Sequence, residues 1–412
     1  MVLNLKKAFF NTLLFLSFLP FVGFSGFGID TQPFAHIFII TALFSFFWIG
    51  SIRYLKTNYQ AIWLFISFCI ALLYFSLELL SSNGANIFGG FRSLLNFSTF
   101  LMMLVFFFCF YEKTNTSKTF IFIYFVWFIV GLIQVLIYPE FAHNFLARES
   151  EMTGGRGVQS LASEPVEYAR VQILFMLYAC ILFHFRKISF NLFLFIQLCS
   201  IVQISLFGLS GLGFVFLTFY LGSYFFILYD SPNKLIIFII VCLLFVALVY
   251  LGVEYLGTRR VFSLINLALN NPEELLQYGG FSLRFFNLPT SIYVGLYESA
   301  LLGNGVGTVS SEEIFTYTFL GLEHSNMLHA RAHGGMVGLI YELGIFGIIY
   351  ILTFFSIFLS FNTSNTKKLN IFCLLIFTMV LLFDGSMANP LPFFCLVSFY
   401  FLKKEMYLLN RS

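Results

Sequence analysis

Apolar runs of about twenty residues, separated by short polar clusters, dominate this chain. A helix of that length crosses the ~30 Å hydrocarbon layer with every backbone group satisfied internally. Cutting the chain at the polar clusters predicts spans at 8–28, 34–52, 60–80, 93–111, 119–138, 168–185, 190–207, 210–229, 235–254, 335–358, 369–386 and 389–402. The seventh and eighth are divided at Gly208-Leu-Ser-Gly-Leu-Gly213, and the last is short enough for a tilted or partial crossing. Residues 1–412 therefore read as one all-α, polytopic membrane bundle of about twelve transmembrane helices, with no solenoid repeat, low-complexity tract or soluble domain. Two connections are too long for turns. One is 139–167, and the other is 255–334, with amphipathic stretches near 261–269 and 291–302. Long connections in compact proteins are usually functional.

Composition agrees: 59% of residues are hydrophobic and 10% charged, against about 25% charged in soluble domains. The 61 Phe and 21 Tyr read mostly as packing bulk. Seven cysteines lie in apolar runs without metal-ligand spacing, so neither a disulfide nor a thiolate site is expected. Lys6 and Lys7 precede an apolar run as in a signal peptide, but no small-residue cleavage site follows and further spans do.

Net charge is only +3, which gives no reason to expect a nucleic-acid partner, but its distribution is informative. With the N-terminus cytoplasmic, 14 of the 22 cations, including all eleven lysines, fall in inside segments. The same topology places the C-terminus inside. The outer eight are Arg92, Arg148, Arg156, Arg170, Arg259, Arg260, Arg284 and Arg331. Guanidinium holds phosphate through a planar fork of donors and stays charged when partly desolvated. Exclusive use of arginine outside therefore points to an anionic ligand, with structural salt bridges as the alternative.

The second connection ends in HSNMLHARAHGGMVGLIYELGIFG, gathering His324, His329, Arg331 and His333. His329 and His333 have helical metal-ligand spacing, but HARAH lacks the glutamate of HExxH and an adjacent arginine repels cations. No metal site and no cofactor is expected. Glu164 precedes Pro165 and reads either as a cap of the sixth span or as a site residue. Glu78 and Asp384, near outer span ends, read as interfacial.

His333 and Gly334, nine residues, then Gly344-Ile-Phe-Gly347 make up the most specific pattern. It resembles the signature of bacterial O-antigen ligases and O-antigen or capsule polymerases, with Gly334 where the family carries a polar side chain. Arg284, followed by Gly303, Gly305 and Gly307, is similar to the family's arginine and glycine turn. Arg156-Gly157 with Ser163-Glu164-Pro165 resembles a segment of the polymerases' first long outer loop. Taken alone, both glycine groups read as a turn and a helix-packing contact. The resemblance covers roughly 140–350.

The resemblance implies a GT-C-like fold in the bacterial inner membrane, with the active site on the periplasmic side. It also implies metal-independent, inverting transfer of glycan from undecaprenyl pyrophosphate, with lipid-linked oligosaccharides and a chain-length regulator protein as partners. His333, Arg284 and Arg156 are the expected catalytic residues, and Arg259, Arg260, Arg331, Glu164, His324 and His329 the expected substrate contacts. Arginines would stabilise charge developing on the pyrophosphate. His333 would act as base toward the acceptor hydroxyl or as a pyrophosphate ligand. The expected activity is a polymerase. A ligase acting on lipid A core is the near alternative, and a transporter or flippase the alternative of another class. Matched halves with interrupted helices, typical of transporters, are not visible.

Overall fold

A computed structural model of the chain describes residues 2–23, 31–46, 54, 58–81, 87–111, 117–146, 157–229, 239, 266–267, 270–271, 289, 291–306, 314–319, 322–327, 335–363, 366–383 and 386–409. The expected span at 235–254 lies outside them except for Ile239.

The described chain is a helical bundle. Its long elements are α1 (Val2–Ser17), α2 (Phe34–Phe46), α3 (Tyr59–Ser81), α4 (Ile87–Phe110), α5 (Ser117–Leu136), α6 (Pro165–His184), α7 (Phe190–Val202) and α8 (Gly211–Ser223). The last two run on into π-helical turns, Gln203–Gly208 and Tyr224–Leu228. After the second long connection come α9 (Gly335–Leu343), α10 (Ile345–Leu359), α11 (Lys367–Phe383) and α12 (Pro390–Leu409). An antiparallel hairpin, β1 (Ile314–Phe319) with β2 (Leu322–Met327), lies within the second connection and adds to the all-α expectation.

Among the described residues six helices are long and apolar enough to cross a membrane: α3 to α6, and α7 and α8 with their π turns. Three expectations change in detail. The span placed at 8–28 is a helix ending at Ser17. Pro20 lies just beyond that end and cannot continue a helix, and the Trp127 indole donates to the Phe18 carbonyl at 2.9 Å. The span placed at 335–358 is two helices broken at Gly344. The short last span is the 20-residue α12, of which Pro390 to Lys403 are buried. By contrast, the break expected after Gly208 occurs where expected. Leu209 turns left-handed and Ser210 caps α8 through the Gly213 N–H.

Burial divides the bundle into centre and rim. Within their apolar windows α6 is 83% buried and α4 78%, whereas α3 is 22% and α8 28%. The bare, apolar sides of α3 and α8 suit contact with a lipid bilayer. Aromatic rings fill the centre: Phe10 meets Phe107 at 4.8 Å, Phe18 meets Phe175 at 5.0 Å and Phe107 meets Phe394 at 5.2 Å. One buried polar seam crosses it. The Tyr168 hydroxyl donates to Gln203 Oε1 at 2.7 Å, and Gln203 Nε2 donates to the Tyr124 hydroxyl at 3.1 Å. Ser200, beside Tyr124, donates to Gln172 Oε1 at 3.1 Å. Such bonds join helices where lipid offers no alternative partner.

The helices separate the charges. Described lysines stand at the starts of α1, α5 and α11, just after α6 and near the end of α12, all at one end of the bundle. There Tyr111 donates to Glu405 at 3.2 Å. Lys403 Nζ, fully buried, donates to the Ile357 carbonyl at 3.0 Å and Asn370 Oδ1 at 2.9 Å. A cation there complements the negative end of α10. Arg92 and Arg170 stand at the opposite end, called the loop end below because the first long connection and the described 303–305 turn of the second lie there.

Candidate functional site at the loop end

The first connection is anchored by backbone. Gly157 lies against the π turn that ends α7: a Cβ there would stand 2.2 Å from the Phe207 carbonyl oxygen, and Val158 N donates to that oxygen at 2.9 Å. Gln134 of α5 then clamps Ser160. Its Oε1 accepts from Ser160 N at 2.6 Å, while its Nε2 donates to the carbonyls of Ser160 at 3.1 Å and Phe141 at 2.7 Å. Ser160 Oγ donates to the Trp127 carbonyl at 2.8 Å. This clamp delivers Ser163, Glu164 and Pro165 to the start of α6. Glu164 occupies the cap position with extended backbone, but its carboxylate does not bond the helix N–H groups, so the cap is positional and electrostatic.

Arg170, one of the eight outer arginines, is structural. Only 3% exposed, it pairs with Glu167 one turn earlier and donates Nη2 to the carbonyl of Phe383, the last residue of α11, at 2.6 Å. Its guanidinium lies 5.9 Å from the centre of the Phe216 ring. The salt-bridge alternative is therefore correct for this arginine.

The two glycine groups meet. The 303–305 turn docks on the break between α9 and α10: Asn304 N donates to the Tyr341 carbonyl at 2.9 Å, Gly305 N to the Glu342 carbonyl at 3.0 Å, and Ile345 N to the Leu301 carbonyl at 3.0 Å. Gly344 has φ 55° and ψ −122°, a conformation essentially restricted to glycine. A Cβ there would stand 2.1 Å from the Leu301 carbonyl oxygen, and one on Gly303 would stand 2.5 Å from Gly344 N. Gly347 lies against the Leu339 backbone, where a Cβ would come within 2.2 Å of the carbonyl oxygen. The chain thus turns sharply at Gly344, with α10 folded onto α9.

Beneath this joint is a carboxylate that sequence reasoning missed. Glu342, 4% exposed, accepts a hydrogen bond from the Ser93 hydroxyl of α4. One turn further along α4, Asn96 Oδ1 accepts from Ser386 Oγ at 3.2 Å, and the Asn96 carbonyl accepts from the Tyr350 hydroxyl at 3.3 Å. The signal was available: Glu342 is the only residue charged at neutral pH between Gly335 and Leu359, and such residues in apolar helices mark functional sites. Beside the turn, a cleft of about 410 Å³ opens against α3, with Tyr74 and Glu78 on one wall and Asn304 on the other.

Of the expected site residues, Arg156, Arg259, Arg260, Arg284, Arg331, His329 and His333 lie outside the described residues, as do Gly307, Gly334 and Asp384. His324 is in β2, in register with Tyr317 of β1. Among the described residues, the 303–305 turn, nineteen residues after Arg284 in sequence, docks beside α9, which begins two residues after His333. Among the described residues no three of His, Cys, Asp and Glu are grouped to hold a metal ion. Neither a protein-family model nor a curated protein matches this chain significantly.

Proposed function

We propose that this chain is a polysaccharide polymerase of the O-antigen or capsule type, an inverting glycosyltransferase of the inner membrane with about twelve spans and a GT-C-like arrangement. The lysine end faces the cytoplasm and the loop end the periplasm. The observation that carries the reading is the spacing of His333, Gly344 and Gly347, and its support is the docking of the 303–305 turn on the Gly344 elbow. Segments that resemble two motifs of that family thus touch through backbone hydrogen bonds, which supports the reading.

In the proposed reaction an acceptor sugar hydroxyl of a lipid-linked repeat unit attacks the anomeric carbon of the growing glycan. The bond from that carbon to undecaprenyl pyrophosphate breaks, the hydroxyl proton passes to His333, and undecaprenyl pyrophosphate leaves. Arg284 and Arg156 stabilise the charge gathering on the departing pyrophosphate, with Arg259, Arg260 and Arg331 holding the donor. His324, His329 and Glu164 contact the sugars. A chain-length regulator is the expected protein partner.

The test is a gel of surface glycan from a deletion strain with and without the gene restored. A single attached repeat unit replacing the long ladder supports the polymerase. Complete loss of attached glycan with lipid-linked polymer accumulating indicates the ligase, and an unchanged ladder removes glycosyl transfer in favour of transport.

A further inference from the structure

We propose that the cleft between α3 and the 303–305 turn is a binding subsite for uncharged sugar residues of the glycan; this rests on the proposed glycosyl transfer. Its volume, about 410 Å³, falls in the ~300–1,000 Å³ range of small-molecule sites. Its polar walls are fixed before any ligand arrives. The Tyr74 hydroxyl donates to the Leu302 carbonyl at 3.2 Å, which pins the ring beside the turn. Asn304 is held twice by the Tyr341 carbonyl, through its backbone N–H at 2.9 Å and its Nδ2 at 3.3 Å, and keeps Oδ1 as an acceptor.

The described lining offers acceptors to hydroxyls. It carries one carboxylate, Glu78. A carboxylate offers about four acceptor sites, enough to hold sugar hydroxyls alongside another partner. An aromatic ring supplies an apolar face and a polar edge, and Gly303 and Gly305 present bare backbone. Leu77 and Leu80, 52% and 84% exposed, form an apolar lip toward the lipid-facing side of α3. The other face of the same turn contacts the Glu342 carbonyl, so sugar in the cleft lies one turn of chain from the elbow after His333.

The experiment uses the full-length protein in nanodiscs and, as probe, the repeat-unit oligosaccharide of the host's own surface glycan, released without lipid or phosphate. Its Kd is measured by saturation-transfer NMR. Glu78→Ala, which removes the acceptor, should raise Kd about tenfold, as expected for losing a hydrogen bond to a charged group, and Leu77→Trp, which fills the cleft, should raise it at least as much. Inorganic pyrophosphate should not displace the sugar. If alanine lowers the melting temperature, the isosteric Glu78→Gln replaces it and should still weaken binding. Unchanged Kd in the variants, no binding to the wild-type protein, or displacement by pyrophosphate would overturn the subsite. Failure of the polymerase reading shows separately, as an unchanged ladder in the deletion strain, and the titration then decides the cleft alone.

Discussion

Gly303 and Gly344, forty-one positions apart in sequence, pack backbone against backbone, so closely that a methyl group on either would collide with the main chain of the other's segment. Both have positive φ, 81° and 55°. The contact joins a turn within the second long connection to the elbow between α9 and α10.

Gly344→Ala should therefore lower the amount of folded protein. The strained backbone alone costs ~1–3 kcal/mol, and the 2.1 Å approach to the Leu301 carbonyl adds to it. Thermal melting in detergent and abundance in the membrane check this. A variant that melts like the wild-type protein would mean the elbow is not built as described.

Residues expected to act in chemistry should behave oppositely. His333→Ala and Arg284→Ala should abolish polymer while leaving membrane abundance unchanged. Arg284→Lys should also fail, because an ammonium cannot hold phosphate bidentately. Equal loss of abundance would make both residues structural, and full activity of the lysine variant would remove the fork argument.

The bundle's existence was legible from run length alone, since lipid leaves helices few alternatives, and the break at Leu209 followed from its glycines and serine. The elbow was not. Gly344 sits inside an apolar run long enough to span, broken only by Glu342, and hydropathy does not distinguish a crossing from a short helix folded against the next one. The meeting of the two glycine groups was equally hidden, because it depends on backbone bonds between segments some forty residues apart. Arg170 misled for another reason: counting outer arginines ignores that Glu167, one turn away, is a ready partner. Glu342 could have been found, as a lone carboxylate in an apolar helix.

The clamp on the first connection yields a further expectation. Gln134→Leu would strand Ser160 N and two carbonyls in a buried setting. Each unsatisfied group costs ~1–3 kcal/mol, so the variant should melt clearly lower. Gln134→Glu, keeping the acceptor for Ser160 N, should lose less. An unperturbed melt for the leucine variant would show that the clamp contributes little.

At the lysine end, Lys403→Met should destabilise by about 1–3 kcal/mol, by leaving Asn370 and the end of α10 without their donor. A double-mutant cycle with Asn370→Leu should be non-additive, because the residues share one bond. Additive losses would contradict the bond.

The position of α12 constrains the order of assembly. Its buried stretch, Pro390 to Lys403, lies against α4 and α6 at the centre of the bundle, yet it is the last described helix to leave the ribosome. Other ties span comparable distances along the chain: Gln60 to Ser356, Ser93 to Glu342, and Arg170 to Phe383. Helices inserted early must hold polar groups in lipid until partners hundreds of residues later arrive, a non-local topology that folds slowly and is exposed to trapping on the way. The interior of the described bundle is thus completed late, and synthesis halted short of α12 would leave α4 and α6 without the helix that covers them.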